Sequence, residues 1–191
     1  MTDISAFQHL VQTRRSIRRY IDKPVEREKI LACIDAARLA PSAENLQPWR
    51  FIVIDDPQVK ADFCDAAFSG IYRMSRWACK APIIVAMLVE MDVLVNRLGK
   101  QVQGTQYYLL DSGIAGEHFV LQAHELQLGT CWIGWFNAKK ARKFFGLSKK
   151  YRAVALFSMG YYDSLPGRQR RLLDREAIVA FNGWQNGERV D

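Results

Sequence analysis

The chain has 191 residues, enough for one domain with a substantial buried core. Apolar residues make up 49% of it, which excludes the disordered and fibrous classes of protein. The formal net charge is +7, and the longest apolar run, Ala81 to Val89, is far shorter than the roughly 20 residues of a membrane helix. We therefore expect a single domain over residues 1–191 and no membrane partner.

Two helices are predicted before residue 41. Apolar residues at helical spacing, with Thr2 or Asp3 as the N-cap, predict a short helix that ends near Arg14. A second helix is expected to begin at Pro24 and to end before Pro41. The apolar stripe of this second helix consists of Ile30, Ile34, Ala37 and Leu39.

The middle of the chain alternates between strand and helix patterns. Residues 50–55 predict a strand, residues 58–68 a helix, and Ala81 to Val89 a buried strand. Residues 69–80 and 90–105 carry no clear pattern.

The strongest helix prediction covers residues 105–127. Its apolar residues Tyr107, Leu110, Ile114 and Leu121 share one face, which indicates a helix in the core or in an interface. Short apolar, helical and strand segments follow at 131–136, 138–145 and 153–159, and the tail from Leu165 has no strong apolar period.

Cysteine spacing predicts neither a metal site nor a disulfide. The four cysteines have no Cys-x-x-Cys pair and no histidine at ligand spacing, so we expect reduced, buried thiols. The N-terminus has Asp3 before its apolar residues and its arginines after them, the reverse of a secretory signal. Both features predict a cytoplasmic location.

The positive charge has a local origin. No Asp or Glu occurs between Leu126 and Tyr162, and the bases of this segment account for the whole excess of 27 bases over 20 acids. They are Lys139, Lys140, Arg142, Lys143, Lys149, Lys150 and Arg152. The segment is either a basic rim for a dinucleotide phosphate or nucleic acid, or simply a solvated surface, and the second interpretation is favoured because charge patches usually serve solubility.

Two motifs near the N-terminus suggest the two ends of a flavin mononucleotide. The first crowds three guanidinium groups and a hydroxyl together as Arg14, Arg15, Ser16 and Arg18, which suits a phosphate. The second, Pro41 to Trp49, is rich in turn residues with uncharged amides and a hydroxyl, which suits the edge of a heteroaromatic ring or a polyol.

With two further segments, Gly129 to Gly134 and Arg168 to Arg170, these motifs resemble those of the FMN-dependent nitroreductase family over nearly the whole chain. The resemblance implies an α+β fold, an α/β/α sandwich with a mostly antiparallel central sheet. It also implies a homodimer whose C-terminal segment crosses to the partner and whose FMN sites lie between the subunits.

The resemblance assigns FMN contacts residue by residue. Arg14, Ser16, Arg168 and Arg170 would hold the phosphate and ribityl end, with Arg15 alongside. Arg18 would lie near the pyrimidine edge, where a fixed positive charge stabilises the reduced flavin. Pro41, Ser42, Asn45 and Gln47 would line the flavin, partly from the partner subunit, and Trp132, Ile133 and Gly134 would pass its N5 edge through their backbone. Trp49 is expected in the core.

Two positions depart from the family pattern. Ala43 stands where many members have a second serine, and Trp135 stands where many have a small residue, so Trp135 is expected to narrow the pocket over the ring. The walls of the acceptor pocket are expected within residues 65–106.

The resulting hypothesis is an FMN-dependent oxidoreductase that passes a hydride from NAD(P)H through flavin N5 to a nitroaromatic or quinone by a ping-pong mechanism. No side chain is expected to be the catalyst, and no metal is expected. One alternative is a flavin enzyme with the same fold that dehalogenates its substrate or degrades flavin. A minor alternative is a basic nucleic-acid-binding module, which has few aromatic residues for base stacking.

Overall fold

A computed structural model of the chain describes residues 4–92, 105–167, 170–185 and 188–189. Its helices are α1 (Ala6–Thr13), α2 (Arg27–Arg38), α3 (Pro57–Ala67), α4 (Tyr107–Glu125) and α5 (Ala138–Phe144). Its strands are β1 (Trp49–Ile54), β2 (Ile83–Glu90), β3 (Gly129–Ile133), β4 (Tyr151–Gly160), β5 (Trp184–Gln185) and β6 (Glu188–Arg189). Short 3₁₀ segments cover Ala43–Asn45, Gly70–Lys80 and Arg175–Ala177.

The central sheet has the order β1-β2-β4-β3, with every neighbouring pair antiparallel. A parallel bridge between Ser16 and Thr130 adds the chain after α1 to the free edge of β3. The predicted mostly antiparallel sheet is therefore confirmed. β5 and β6 form a separate two-stranded ladder in the tail.

Helices cover both faces of the sheet, as the predicted α/β/α sandwich requires. β2 is buried along nearly its whole length because its side chains alternate between two cores. Val85 and Met87 pack with residues of α2 and α4, such as Phe119, on one face. Ile84 and Leu88 pack with residues of α3 and α5 on the other. This double burial explains why the sequence of β2 is one continuous apolar run.

Three details of the helix predictions are wrong. Ser5, whose hydroxyl accepts a hydrogen bond from the Gln8 amide at 3.2 Å, caps α1, whereas the predicted caps lie outside the described residues. Helix α2 begins at Arg27 rather than Pro24. Leu39 lies past the end of α2 and is 82% exposed, so it does not belong to the buried stripe.

The predicted apolar face of helix α4 was expected in the core or in an interface, and within the single chain the helix buries a different face. Its contacts with the sheet come from small and aromatic residues such as Ala115 and Phe119, while Leu110 is 55% and Ile114 is 39% exposed. The predicted apolar face therefore points out of the single chain. Small residues face the sheet because they allow the helix to lie close to it.

The prediction that all four cysteines are reduced is wrong for one pair. Cys64 of α3 and Cys79 form a disulfide, with Cα atoms 6.2 Å apart. Their separation of 15 residues concealed the pair in the sequence, since only the packing of the 70–80 segment against α3 brings the sulfurs together. Cys33 and Cys131 are buried free thiols, and burial raises the pKa of Cys33 to about 12.

None of the helices within the described ranges combines the length and the apolar character needed to cross a membrane.

Candidate functional site

The first motif forms an extended segment, the Arg14–Arg18 strand, which pairs with the edge of the sheet through the single bridge between Ser16 and Thr130. Helix α1 ends at Thr13, and the backbone turns extended at Arg14. The Ile17 amide donates a hydrogen bond to the Thr130 carbonyl at 2.9 Å, and the Ile17 side chain is buried. Because side chains alternate along extended backbone, Arg14, Ser16 and Arg18 lie on the side opposite Ile17.

Gly129 allows this strand to approach β3. A Cβ atom at position 129 would lie 2.8 Å from three carbons of Ile17, closer than side chains approach in real structures. The phenol of Tyr20 adds a second support by donating to the Ile17 carbonyl at 2.6 Å. Burial raises the pKa of this phenol, which keeps it a neutral donor. The backbone that carries the arginines is thus fixed by the core.

The three arginines of the motif point to different surroundings. The Arg14 side chain is mostly buried, and its Nε lies 3.6 Å from a carboxylate oxygen of Glu117 on α4. Arg15 turns back onto α1, where its Nη1 donates to the Gln12 carbonyl at 2.6 Å. Arg18 is exposed, with its guanidinium carbon 5.6 Å from the centre of the Trp77 ring. Arg14 and Arg18 therefore lie on the side of Ser16, whereas Arg15 turns away from it.

A cavity of about 470 Å³ lies beside this strand, between residues 16–21 and residues 163–167. Its walls include Ser16, Arg18 and Gly167. Arg170 follows this wall in the chain and contacts α1, where its Nη1 donates to the Val11 carbonyl at 3.5 Å. The structure therefore brings Arg170 to the helix that precedes Arg14, while its predicted contact with the FMN phosphate stays a prediction and Arg168 lies outside the described residues.

The second motif is a loop with unusual backbone geometry. Glu44, Asn45 and Gln47 have φ values of 53°, 54° and 46°, in the left-handed region that residues other than glycine seldom adopt. Such strain of roughly 1–3 kcal/mol per residue clusters at functional sites. Trp49, at the end of the loop, is 5% exposed and lies in the core as predicted.

Polar contacts hold this loop in place. The Gln47 amide donates to Ser42 Oγ at 3.0 Å, and Gln47 Nε2 donates to Asn45 Oδ1 at 3.0 Å. The Ala43 amide donates to Oδ1 of Asp111, a buried residue of α4, at 3.0 Å. The structure thus brings the predicted residues Ser42, Asn45 and Gln47 together, with Pro41 exposed beside them.

The third motif exposes backbone rather than side chains. The Trp132 ring packs edge-on against Phe157 at 4.6 Å in the core, and Ile133 is buried. Gly134 follows the end of β3, and a Cβ atom built there would meet no atom of the described residues within 4 Å. The described part of the fold does not require glycine at this position and leaves space above it for a ligand.

Trp135 lies against the 70–80 segment. Its indole Nε1 donates to the Ile71 carbonyl at 3.1 Å, and its ring centre is 5.2 Å from that of Tyr72. Trp135 remains 53% exposed. Its predicted effect on pocket size therefore depends on this neighbouring segment as well.

Helix α4 joins the first two motifs, and sequence reasoning missed its role. Asp111 holds the second motif, and Glu117 pairs with Arg14 of the first. They are six residues apart, or about 9 Å along the helix axis. A carboxylate such as Asp111 within a largely apolar helix was the signal in the sequence that could have indicated this role. Nothing in the sequence indicated that Trp77 would lie against Arg18.

The basic segment is partly used by the fold. Four of its seven cations hydrogen-bond within the chain: Lys140 to Ser69, Arg142 to the Leu147 carbonyl, Lys150 to Glu90, and Arg152 to Tyr108. These contacts favour the interpretation of the segment as ordinary surface.

Comparison with known proteins places this geometry in a family. Residues 11–161 match the model of the Nitroreductase family. The chain is 30% identical over 156 residues to a protein of Archaeoglobus fulgidus named "Putative NADH dehydrogenase/NAD(P)H nitroreductase", covering 80% of this chain and 83% of that protein.

Solved structures give the same result. A nitroreductase family protein from Clostridium difficile 630 is 29% identical, with a TM-score of 0.76 over 96% of this chain and 99% of that one. An FMN-dependent nitroreductase from Clostridium difficile R20291 is 28% identical, with a TM-score of 0.72 over 92% of this chain and 98% of that one.

Proposed function

The chain belongs to the nitroreductase family, and from this premise we propose that it is an FMN-dependent oxidoreductase acting as one FMN-binding domain over residues 1–191. It takes a hydride from NAD(P)H and gives it to an electron-poor acceptor such as a nitroaromatic or a quinone. Relatives of the chain are named as NAD(P)H nitroreductases, which supports both the nitroreductase activity and the nicotinamide donor.

One observation carries the assignment of the cofactor site. The strand with Arg14, Ser16 and Arg18 pairs with Thr130, and Gly134 follows four residues later, about 13 Å along extended chain and directly after the end of β3. Cationic side chains for a phosphate and an open backbone edge for a ring therefore lie along the same stretch of the sheet edge. This donor set fits FMN, whose two ends require these two kinds of contact.

The proposed FMN contacts are the predicted ones: Arg14, Arg15, Ser16, Arg18, Pro41, Ser42, Asn45, Gln47, Trp132, Ile133, Gly134, Arg168 and Arg170. Arg14 and Arg170 bind the phosphate, and Arg18 supplies a fixed positive charge beside the ring. Because Arg15 is oriented toward Gln12, we propose that it plays a minor part in binding FMN. When bound, FMN supplies the centre that accepts and donates the hydride, so no side chain has to be the catalyst.

A homodimer completes the proposed site. The exposed apolar residues Leu110 and Ile114 of α4 support an interface there. In the tail, Leu172, Leu173, Ile178 and Phe181 are each 65% exposed or more, which supports a C-terminal segment that packs on a partner. Sedimentation equilibrium should give the mass of a dimer. Truncation of the chain before Leu172 should weaken the association of the two subunits.

The spectrum of the purified protein tests the central proposal. We expect visible flavin absorbance that bleaches when NADPH is added without oxygen and returns when a quinone is added. Donor and acceptor would occupy the same open face in turn, so initial-rate plots should show the parallel lines of ping-pong kinetics. A colourless protein that FMN does not reconstitute would contradict the proposal.

The cytoplasmic location stays a prediction. The Cys64–Cys79 disulfide is a bond more typical of oxidising compartments. Alkylation of rapidly acidified cells, followed by mass spectrometry, would report whether this pair is oxidised where the protein resides.

A further inference from the structure

The 70–80 segment (Gly70–Lys80) forms a wall beside the proposed flavin site. At one end Trp77 lies under the Arg18 guanidinium, and at the other Ile71 and Tyr72 contact Trp135. Arg18 is a proposed flavin contact, and Trp135 follows Gly134 directly. Both ends of the segment thus touch elements that border the flavin.

The 3₁₀ geometry of the segment sorts its side chains into rows. Residues three apart eclipse one another in a 3₁₀ helix. Ser75 and Ala78 form the buried row, and Ile71, Met74 and Trp77 form an apolar row. Ile71 is 70% and Met74 84% exposed, so this row presents an apolar surface next to Trp135. Exposed apolar clusters of this kind mark binding sites.

A third row of the segment carries positive charge. Arg76 is neutralised by Asp65, with 2.5 Å between Nη2 and the carboxylate oxygen. Arg73 is exposed and has no ion-pair or hydrogen-bond partner among the residues that the structure describes. Lys140, bonded to Ser69 at 3.0 Å, and Arg18 add positive charge near the two ends of the segment.

We propose that this wall selects the acceptor: Ile71, Met74 and Trp135 contact a planar aromatic ring, and Arg73 binds a negatively charged substituent on it. The inference rests on the proposed function and names its substrate class as aromatic acceptors that carry a carboxylate or sulfonate. A quinone of this class takes the hydride and one proton from water to become the hydroquinone, while NAD(P)H becomes NAD(P)⁺. Arg73 makes and breaks no bond.

Equilibrium binding tests the wall without turnover. Calorimetry on the FMN-loaded protein with 2-naphthoate and its neutral isostere 2-naphthamide should show about threefold to fivefold tighter binding of the anion, the range of a solvent-exposed ion pair. Arg73→Gln should remove this preference and leave the affinity for naphthamide within about twofold, whereas Met74→Ala should weaken both ligands alike. At about 1 M salt the preference should also vanish, because the Debye length falls to about 3 Å.

Arg27→Gln is the matched control. Arg27 is an exposed cation of α2, which packs on the other face of the sheet, so its loss should change neither affinity. An equal effect of Arg27→Gln and Arg73→Gln would mean that net charge alone is responsible, and that result would overturn the inference.

Turnover separates this inference from the proposed function. With 1,4-naphthoquinone and its 2-sulfonate as acceptors, kcat/KM of Arg73→Gln should fall only for the sulfonate. A protein that binds FMN and reduces both quinones, but shows no preference that Arg73→Gln removes, would overturn this inference alone. A protein that neither binds FMN nor oxidises NAD(P)H would overturn the proposed function together with the inference.

Discussion

The Arg14–Arg18 strand and the Pro41–Gln47 loop present opposite chemistry and are held in place by opposite means. The strand carries charge, and the buried side chain of Ile17 and a backbone pairing with Thr130 fix it to the sheet. The loop presents neutral polar groups, and its left-handed backbone is held by amides that donate hydrogen bonds to Ser42 Oγ and Asp111 Oδ1. A long arginine side chain can reach a phosphate as long as its own backbone is fixed. Neutral contacts to the edge of a ring come from short groups, so they need a backbone that already has the right conformation.

The largest expected effect is the loss of the strand's attachment. Gly129→Ala would place a Cβ 2.8 Å from Ile17, and we expect it to lower the free energy of unfolding by about 2–3 kcal/mol, as overpacking does. FMN affinity should fall with it, because the arginines move with the strand. Urea denaturation and flavin fluorescence titration measure the two effects.

Gly134→Ala, directly after the end of β3, provides the contrast. Its Cβ would meet no atom of the described residues within 4 Å, so stability should stay within about 0.5 kcal/mol. FMN affinity should nevertheless fall by about tenfold, because the cofactor is proposed to pass close to this backbone. Unchanged FMN affinity would argue against a flavin edge at Gly134.

The contacts that hold the Pro41–Gln47 loop should contribute less to the free energy of unfolding than those that hold the Arg14–Arg18 strand. Asp111→Ala leaves the Ala43 amide without its acceptor and should cost about 1–2 kcal/mol, while Asp111→Asn keeps an acceptor oxygen and should cost less. Faster hydrogen exchange in residues 42–47 of Asp111→Ala, with residues 14–18 unchanged, would show that the two motifs are held independently. Equal acceleration in both would contradict the comparison.

Backbone strain in the loop is tested by a matched pair at position 47. Gln47→Gly and Gln47→Ala lose the same side chain, but only glycine accepts a φ of 46° without a steric cost. We expect the glycine variant to be more stable by about 1 kcal/mol. Both variants should bind FMN more weakly, since the side-chain amide that they lose is a proposed FMN contact. Equal stability of the two variants in thermal unfolding would mean that the left-handed backbone is not strained.

The smallest expected effect is a pH dependence of stability that arises beside the Arg14–Arg18 strand. His124 lies on α4 with Nε2 2.8 Å from the Thr13 hydroxyl, and that hydroxyl donates to the His9 carbonyl, so His124 Nε2 carries a proton as donor. Burial, and then the charge of Arg14, lower the pKa of His124 below its ordinary value. Because the unfolded chain binds the second ring proton, on Nδ1, more readily, stability is greatest above the ordinary histidine pKa and falls as pH drops below it.

Stability curves at neutral pH and near pH 5 would show this dependence, and His124→Gln should reduce it. The Pro41–Gln47 loop should not respond to the same change. A dependence of equal size in His124→Gln would assign the titration to another group.

Local pattern was sufficient for much of the architecture. The continuous apolar run from Ala81 to Val89 indicated a buried strand, and the helix predicted over residues 58–68 matches α3 to within one residue at each end. The arginine motif and the turn-rich Pro41–Gln47 motif were visible as chemistry because their residue types are unusual when they occur together. Which face of α4 is buried within the chain could not be predicted in this way, because apolar residues also occur outside the predicted face, and the sheet contacts small and aromatic ones such as Ala115 and Phe119.

By itself the sequence determined the order of the elements, the positions of the cationic and neutral motifs, and the family to which they belong. Only the tertiary structure decided that Ile17 lies against Gly129, that Cys64 joins Cys79, and that Trp135 lies on the 70–80 segment. The physical reason is the distance along the chain over which each effect acts. Secondary-structure propensity, helix capping and apolar periodicity act between residues a few positions apart. Contacts between distant residues depend on how the sheet and helices pack, and it is these contacts that hold the proposed site in place.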